Sequence, residues 1–220
     1  MKAWIEEDNI NYEYIIRYLR DTIPQREGQL LEMERYAKEN DVPISQPESI
    51  RLIEVLLKLM NAKNILEIGS AIGYSAIRMS KATDARVVTV ELSEEMVSIA
   101  EKNIKEAGLS DKIQIIQGDG CKVLGEIQGE GLFDVIFVDA AKGQYMELFE
   151  DCVRLLRKGG LLISDNILYK GMTATDELVV RRKITIVRRL RAYLEMLKNN
   201  KELSTSIVPI GDGVALSFKE

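Results

Sequence analysis

Residues 133–171 read FDVIFVDAAKGQYMELFEDCVRLLRKGGLLISDNILYKG. Two apolar runs, DVIFV and GLLIS, flank an amphipathic stretch, which is the pattern of two buried strands joined by a helix. The first run ends at Asp139 and the second at Asp165 and Asn166. Neighbouring parallel strands finish at one edge of a sheet, so these side chains form a three-oxygen cluster suited to a hard divalent cation. Lys142 lies three residues beyond Asp139, where it could take a proton from whatever that cation holds. The stretch points to metal-assisted chemistry on a hydroxyl group.

The same alternation extends in both directions. Strands are expected at 64–68, 86–91, 112–117, 134–139 and 160–165, with helices at 74–82, 93–107, 121–127 and 144–157. Three helical stretches precede them, at 8–20, at 24–39 and from Pro47 to about Met60, with proline at a helix start. After Gly171 the pattern predicts a long basic helix over 174–198, then two strands joined by Gly211-Asp212-Gly213 as a hairpin. The expectation is one α/β domain over 1–220, with a helical cap (1–60) and an α/β core (61–220). Its sheet is mainly parallel and closed by an antiparallel C-terminal strand, with helices on both faces. No internal repeat or flexible linker interrupts it.

Composition narrows the chemistry. The 220 residues contain no histidine, which excludes a Ser-His-Asp or Cys-His mechanism and disfavours zinc. The net charge of −5 gives no global attraction to nucleic acid, so such binding has to come from a local patch. No secretory signal and no bilayer-length apolar run are visible. Cys121 and Cys152 lack a C-x-x-C spacing and read as reduced, buried thiols of a cytoplasmic protein.

The first α/β strand runs into NILEIGSAIGYSAI, where Gly69 and Gly73 allow a ligand to approach the backbone and the next helix offers free N–H groups. The spacing is G-x-x-x-G rather than the dinucleotide fingerprint G-x-G-x-x-G, and a plain tight turn explains it equally well. About twenty residues on, the second strand ends in Glu91, placed to accept bonds from ribose hydroxyls. The third ends in Gly118-Asp119-Gly120. Taken singly, Glu91 is also a helix N-terminal charge and Asp119 a helix cap. Three such features at successive strand ends favour a cofactor site.

The segments LEIGSAIGYSA, VTVELSEEM, GDG, DVIFVDAAKGQY, RLLRKGGLLISDN and PIGDGVALSFK resemble the class I S-adenosylmethionine-dependent methyltransferases. More narrowly, from about Val42 onward, they resemble the cation-dependent O-methyltransferases that include the catechol and caffeoyl-coenzyme A enzymes. The resemblance implies a Rossmann-like, seven-stranded fold. It places Glu67, Gly69 and Ser75 around the methionine part of the cofactor, with Ser70 and Tyr74 beside them. Glu91 matches the ribose acceptor, and Asp119 and Gly120 match positions beside the adenine. Asp139, Asp165 and Asn166 match the ligands of Mg²⁺ (or Mn²⁺), so that Asp139 serves both metal and cofactor, and Lys142 matches the proposed general base. The loop Pro43-Ile44-Ser45 corresponds to a segment that closes over the cofactor, with Ile44 touching it through its backbone.

Chelation demands an acceptor with two adjacent oxygens, as in catechols, caffeoyl groups and 5-hydroxyuridine. Arg181, Arg182, Lys183, Arg188, Arg189 and Arg191 fall within twelve residues that hold no acidic side chain. Such a cluster is either a solvated helix face or a footprint for phosphates. The chain also resembles the bacterial tRNA 5-hydroxyuridine methyltransferases, which act on a wobble base that is already single-stranded. The expectation is tRNA as substrate, with a catechol-like small molecule as the alternative, for which Trp4, Tyr145 and Tyr169 offer aromatic surface. A nicotinamide-dependent oxidoreductase fits the glycine spacing poorly, and a non-catalytic module would not need the full ligand set. Ile5, Tyr12, Ile15, Ile16 and Leu19 form an apolar stripe near the N-terminus, where helices of the resembled family often build a homodimer.

Overall fold

The computed structural model describes residues 10–220, so the expectations for Trp4 and Ile5 lie outside the described residues. Five strands alternate with helices: β1 (Asn64–Ile68), β2 (Arg86–Glu91), β3 (Ile113–Gln117), β4 (Phe133–Val138) and β5 (Leu156–Ser164). They pair in parallel in the order β3-β2-β1-β4-β5. The hairpin of β6 (Leu203–Val208) and β7 (Val214–Lys219) completes a seven-stranded sheet, β7 lying antiparallel to β5 and β6 outside it. This is the expected topology.

The central strands are mostly apolar because both faces are covered. Along β1 and β4 the side chains alternate, Ile65, Val135 and Phe137 facing one core and Leu66, Ile136 and Val138 the other. The first core receives Ile50, Ile53 and Leu57 of α3 (Pro47–Leu59) and Ile77 and Met79 of α4 (Tyr74–Thr83). The second receives Leu148 and Cys152 of α7 (Tyr145–Leu155) and Leu190, Tyr193 and Leu197 of α8 (Ile184–Asn199). The helices α5 (Glu94–Glu106) and α6 (Gly120–Glu126) complete the crossovers, while α1 (Glu13–Asp21) and α2 (Gln29–Glu39) belong to the cap. Cys152 is buried, Cys121 is half-buried, and neither forms a disulfide.

Several boundaries differ from expectation. The basic helix starts at Ile184, ten residues late, after a 3-10 turn at Arg181–Lys183. Arg191 pins the preceding segment as a loop: its guanidinium takes the carbonyls of Met172 and Thr173 (3.0 Å each) and pairs with Asp176 at 2.6 Å. Those carbonyls are therefore held in a loop instead of a helical ladder. The second helix starts at Gln29 rather than residue 24, because Gly28 has φ 58°, outside helical space. Strand β5 begins at Leu156, directly after α7, so α7 ends two residues earlier than expected.

Candidate active site

The strand order reverses between β1 and β4, so their carboxyl ends part and leave a crevice. A cavity of about 490 Å³ occupies it, open to Pro43 and Ile44 on one side and to Lys142 and Asn166 on the other. Gly69 follows β1 with φ 96°, and a Cβ there would lie 2.3 Å from the carbonyl oxygen of Asp139, so only glycine lets the two strand ends meet. Gly120 also lines the cavity, and its own Cβ would meet Ile68 at 2.8 Å.

One side of the cavity offers hydrogen-bonding groups without charge excess. The Glu91 carboxylate accepts from the backbone N–H of Ala71 and of Ser93 (both 2.9 Å), which fixes its direction while leaving lone pairs for a ligand. Beneath it Glu67 is fully buried and accepts from the Thr89 hydroxyl at 2.5 Å. Burial pushes its carboxyl up to about 7, against the Ser75 and Thr89 hydroxyls that favour the charged form. Among the described residues the Glu67 Oε1 and Ser70 Oγ atoms are buried without a hydrogen-bond partner. Orphaned polar atoms beside Gly69 are what an absent polar ligand would leave behind.

The other side is ionic. Asp139 follows β4 and receives Lys142 Nζ at 3.3 Å and Asn166 Nδ2 at 3.2 Å on the same oxygen. Lys142 also donates to the Tyr145 hydroxyl (3.0 Å), which lies 2.8 Å from the carbonyl oxygen of Asp165. Asp165 is 2 % exposed; burial, then the charge of Asp139, pushes its carboxyl up to about 8, with Lys142 opposing. Two carboxylates crowded at adjoining strand ends with one amide make an oxygen-only set that fits a divalent cation and would be relieved by one. Among the described residues no group of three or more His, Cys, Asp or Glu side chains converges, so the set depends on Asn166 as its third donor.

Not every expected residue faces this cavity. The Tyr74 side chain turns to the cap, where its hydroxyl donates to Glu34 and accepts from Arg26 (2.9 Å) and Arg78 (3.0 Å). Ser75 is buried at the start of α4, within reach of Glu67. Asp119 caps α6, accepting from the N–H groups of Cys121 and Lys122 through one oxygen and from Gln144 (3.0 Å) through the other. Gln144 was not among the residues expected to act, and Tyr145, expected only as aromatic surface for a small acceptor, is buried with its hydroxyl on Lys142, although the start of α7 lies only two or three residues past Lys142.

The basic cluster divides in three. Arg191 is the structural staple described above. Arg189 reaches the Gly143 carbonyl (3.3 Å), and Lys183 sits over the Tyr169 ring at 5.6 Å, so the start of α8 borders the ionic side of the cavity. Arg181, Arg182 and Arg188 are exposed.

A Rossmann-like sheet closed by an antiparallel strand, with its cavity over the carboxyl ends of β1, β2 and β4, defines a methyltransferase fold of the S-adenosylmethionine-dependent class. A sequence profile of the O-methyltransferase family matches residues 24–220, and the chain belongs to that family. It is 33 % identical to the catechol O-methyltransferase of Niastella koreensis, over 96 % of this chain and 99 % of that protein. It is 30 % identical to a caffeoyl-CoA O-methyltransferase of Eucalyptus gunnii, over 98 % of this chain and 89 % of the relative. The crystal structure of an O-methyltransferase from Bacillus cereus in complex with SAH superposes with a TM-score of 0.83 at 27 % identity, covering 94 % of this chain and 97 % of that one.

Proposed function

We propose that this protein transfers the methyl group of S-adenosylmethionine to a hydroxyl of an acceptor that presents two adjacent oxygens to a divalent cation. The acceptor is 5-hydroxyuridine at the wobble position of tRNA, modified in the cytoplasm. The observation that carries the reaction is the meeting of Asp139, Asn166 and Lys142 on one side of the cavity that Glu91 enters from the other. In this reading Glu91 accepts from the ribose hydroxyls, and Gly120 leaves room beside the adenine. Glu67 and Ser70 supply polar atoms at the methionine end, and the 43–45 loop closes over the donor. Asp139, Asp165 and Asn166 would hold Mg²⁺ or Mn²⁺, which would orient the acceptor oxygens and ease loss of the proton. Lys142 takes that proton through Nζ, and the oxygen attacks the methyl carbon in line with the departing sulfur. Alignment of this kind can supply roughly 7–11 kcal/mol of the barrier.

Exposed Arg181 and Arg182 in the 3-10 turn, and Arg188 on the helix that follows it and borders the mouth, support an RNA acceptor. The names of the relatives favour the second reading, a catechol-like small molecule, because one of them acts on catechol. Labelled S-adenosylmethionine, offered with tRNA lacking wobble methylation or with a simple catechol, separates the two. EDTA-sensitive label recovered as 5-methoxyuridine is the expected result. Label in catechol alone would establish the small-molecule reading, and transfer indifferent to EDTA would remove the cation.

A further inference from the structure

The Gly211-Asp212-Gly213 turn between β6 and β7 lies far along the chain from every strand end that builds the cavity, yet it packs against the segment after Asn166 and against the start of α3, both next to residues that line it. On the ionic side, the carbonyls of Gly213 and Asp212 accept from the N–H groups of Ile167 and Leu168 (3.0 Å each). The Asp212 carboxylate accepts from the N–H of Lys170. The segment so gripped is conformationally costly, with Asn166, Tyr169 and Lys170 all at left-handed φ of 57°, 48° and 57°. Three such residues in five persist only where surrounding contacts hold them. A Cβ on Gly213 would lie 2.3 Å from the Leu168 side chain, so the turn and the segment fit without slack. On the opposite side, a Cβ on Gly211 would lie 2.2 Å from Ser49 Oγ and 3.2 Å from Gln46, at the start of the helix that follows the 43–45 loop.

We propose that Asp212 is a positioning residue: through the Lys170 N–H and its own carbonyl it holds the strained 166–170 backbone so that the Asn166 amide faces Asp139. The inference rests on the cation reading proposed above. The Lys170 N–H requires a hydrogen-bond acceptor at Oδ1, which a carboxamide supplies as well as a carboxylate, while the Asp212 charge also raises the Asp165 carboxyl.

The test compares Asp212→Ala with Asp212→Asn in the full chain. Mn²⁺ affinity is read by calorimetry, and backbone hydrogen exchange at 167–170 is read without metal. Asp212→Ala is expected to weaken Mn²⁺ binding by about 10–100-fold, the range for loss of an outer-shell partner, and Asp212→Asn to restore it to within about threefold. Exchange at the Leu168 and Lys170 amides should rise about tenfold or more in the alanine variant only. S-adenosylmethionine affinity should stay within about twofold in both, since Glu91 and Glu67 are untouched. Unchanged exchange in Asp212→Ala overturns the inference, and so does an equal loss of Mn²⁺ affinity in both variants, which would make the charge itself the agent. If the unsubstituted protein binds no Mn²⁺, the cation reading falls, and the exchange data alone decide whether Asp212 holds the segment.

Discussion

Glu67 carries a pH signature in the stability of the fold. Its folded-state carboxyl, near 7, sits above the ordinary 4.5, so between those values the folded protein holds a proton that the unfolded chain has lost. Stability from this group is complete below pH 4.5 and declines as pH rises through 7, by about 3 kcal/mol at most. Glu67→Gln should therefore stabilise the ligand-free protein at pH 8.5 by roughly 1–3 kcal/mol and leave it nearly unchanged at pH 5. Denaturant melts at the two pH values measure this, and an equal gap at both would refute it. Lys142→Met should lower kcat by about 10²–10⁴-fold, the usual worth of a positioned acid or base, with S-adenosylmethionine affinity kept within about twofold. A loss under about threefold would leave proton removal to other groups. Asp139, Asn166 and Lys142 were legible because strand ends bring neighbours together by topology alone. Tyr74 was not, since its place beside Gly73 says nothing of direction; the αL conformation of Gly73 starts α4 so that Tyr74 enters the cap. The contacts of Asp212 span more than forty positions and leave no local pattern to read.

At the scale of elements, α8 has two jobs on one basic sequence. Arg191→Ala should free the Met172 and Thr173 carbonyls and the Asp176 pair, costing about 2 kcal/mol in denaturant melts and raising exchange over 172–176. Charge reversal at Arg181, Arg182 and Arg188 should leave stability within about 0.5 kcal/mol, as befits exposed positions. It should also cut tRNA methylation, and flatten its salt dependence, while sparing a catechol; equal loss on both acceptors would assign these arginines a structural task. The helix existed as expected but starts later, and a side chain on its second turn, not any breaker at its beginning, captures the preceding carbonyls. The N-terminal α1 has no buried residue, and Tyr12, Tyr14 and Tyr18 are each more than 60 % exposed. We infer that this face meets a second copy of the chain. Light scattering should give twice the single-chain mass, and Tyr14→Lys with Tyr18→Lys should return it to one.

For the whole molecule, the mainly parallel sheet with its antiparallel C-terminal strand followed from rules that act on any chain of this pattern, buried apolar strands joined by helices and a terminal hairpin, while the seven-stranded, Rossmann-like form came with the family resemblance. What pattern could not reveal was which loops share a wall, because that depends on contacts between β6–β7 and segments over forty residues distant. The reversal of strand order between β1 and β4 has an implication of its own. Apart from Asp139, which follows β4 and is expected to serve both, the residues assigned to the methyl donor hang from β1, β2 and β3, with the 43–45 loop, and those assigned to the acceptor hang from β4, β5 and the segment up to α8. The two substrates thus answer to separate stretches of the chain that meet only across the crevice. Exchange of residues 166–183 for those of a relative should re-aim the enzyme at another hydroxyl while its grip on the donor stays as it was.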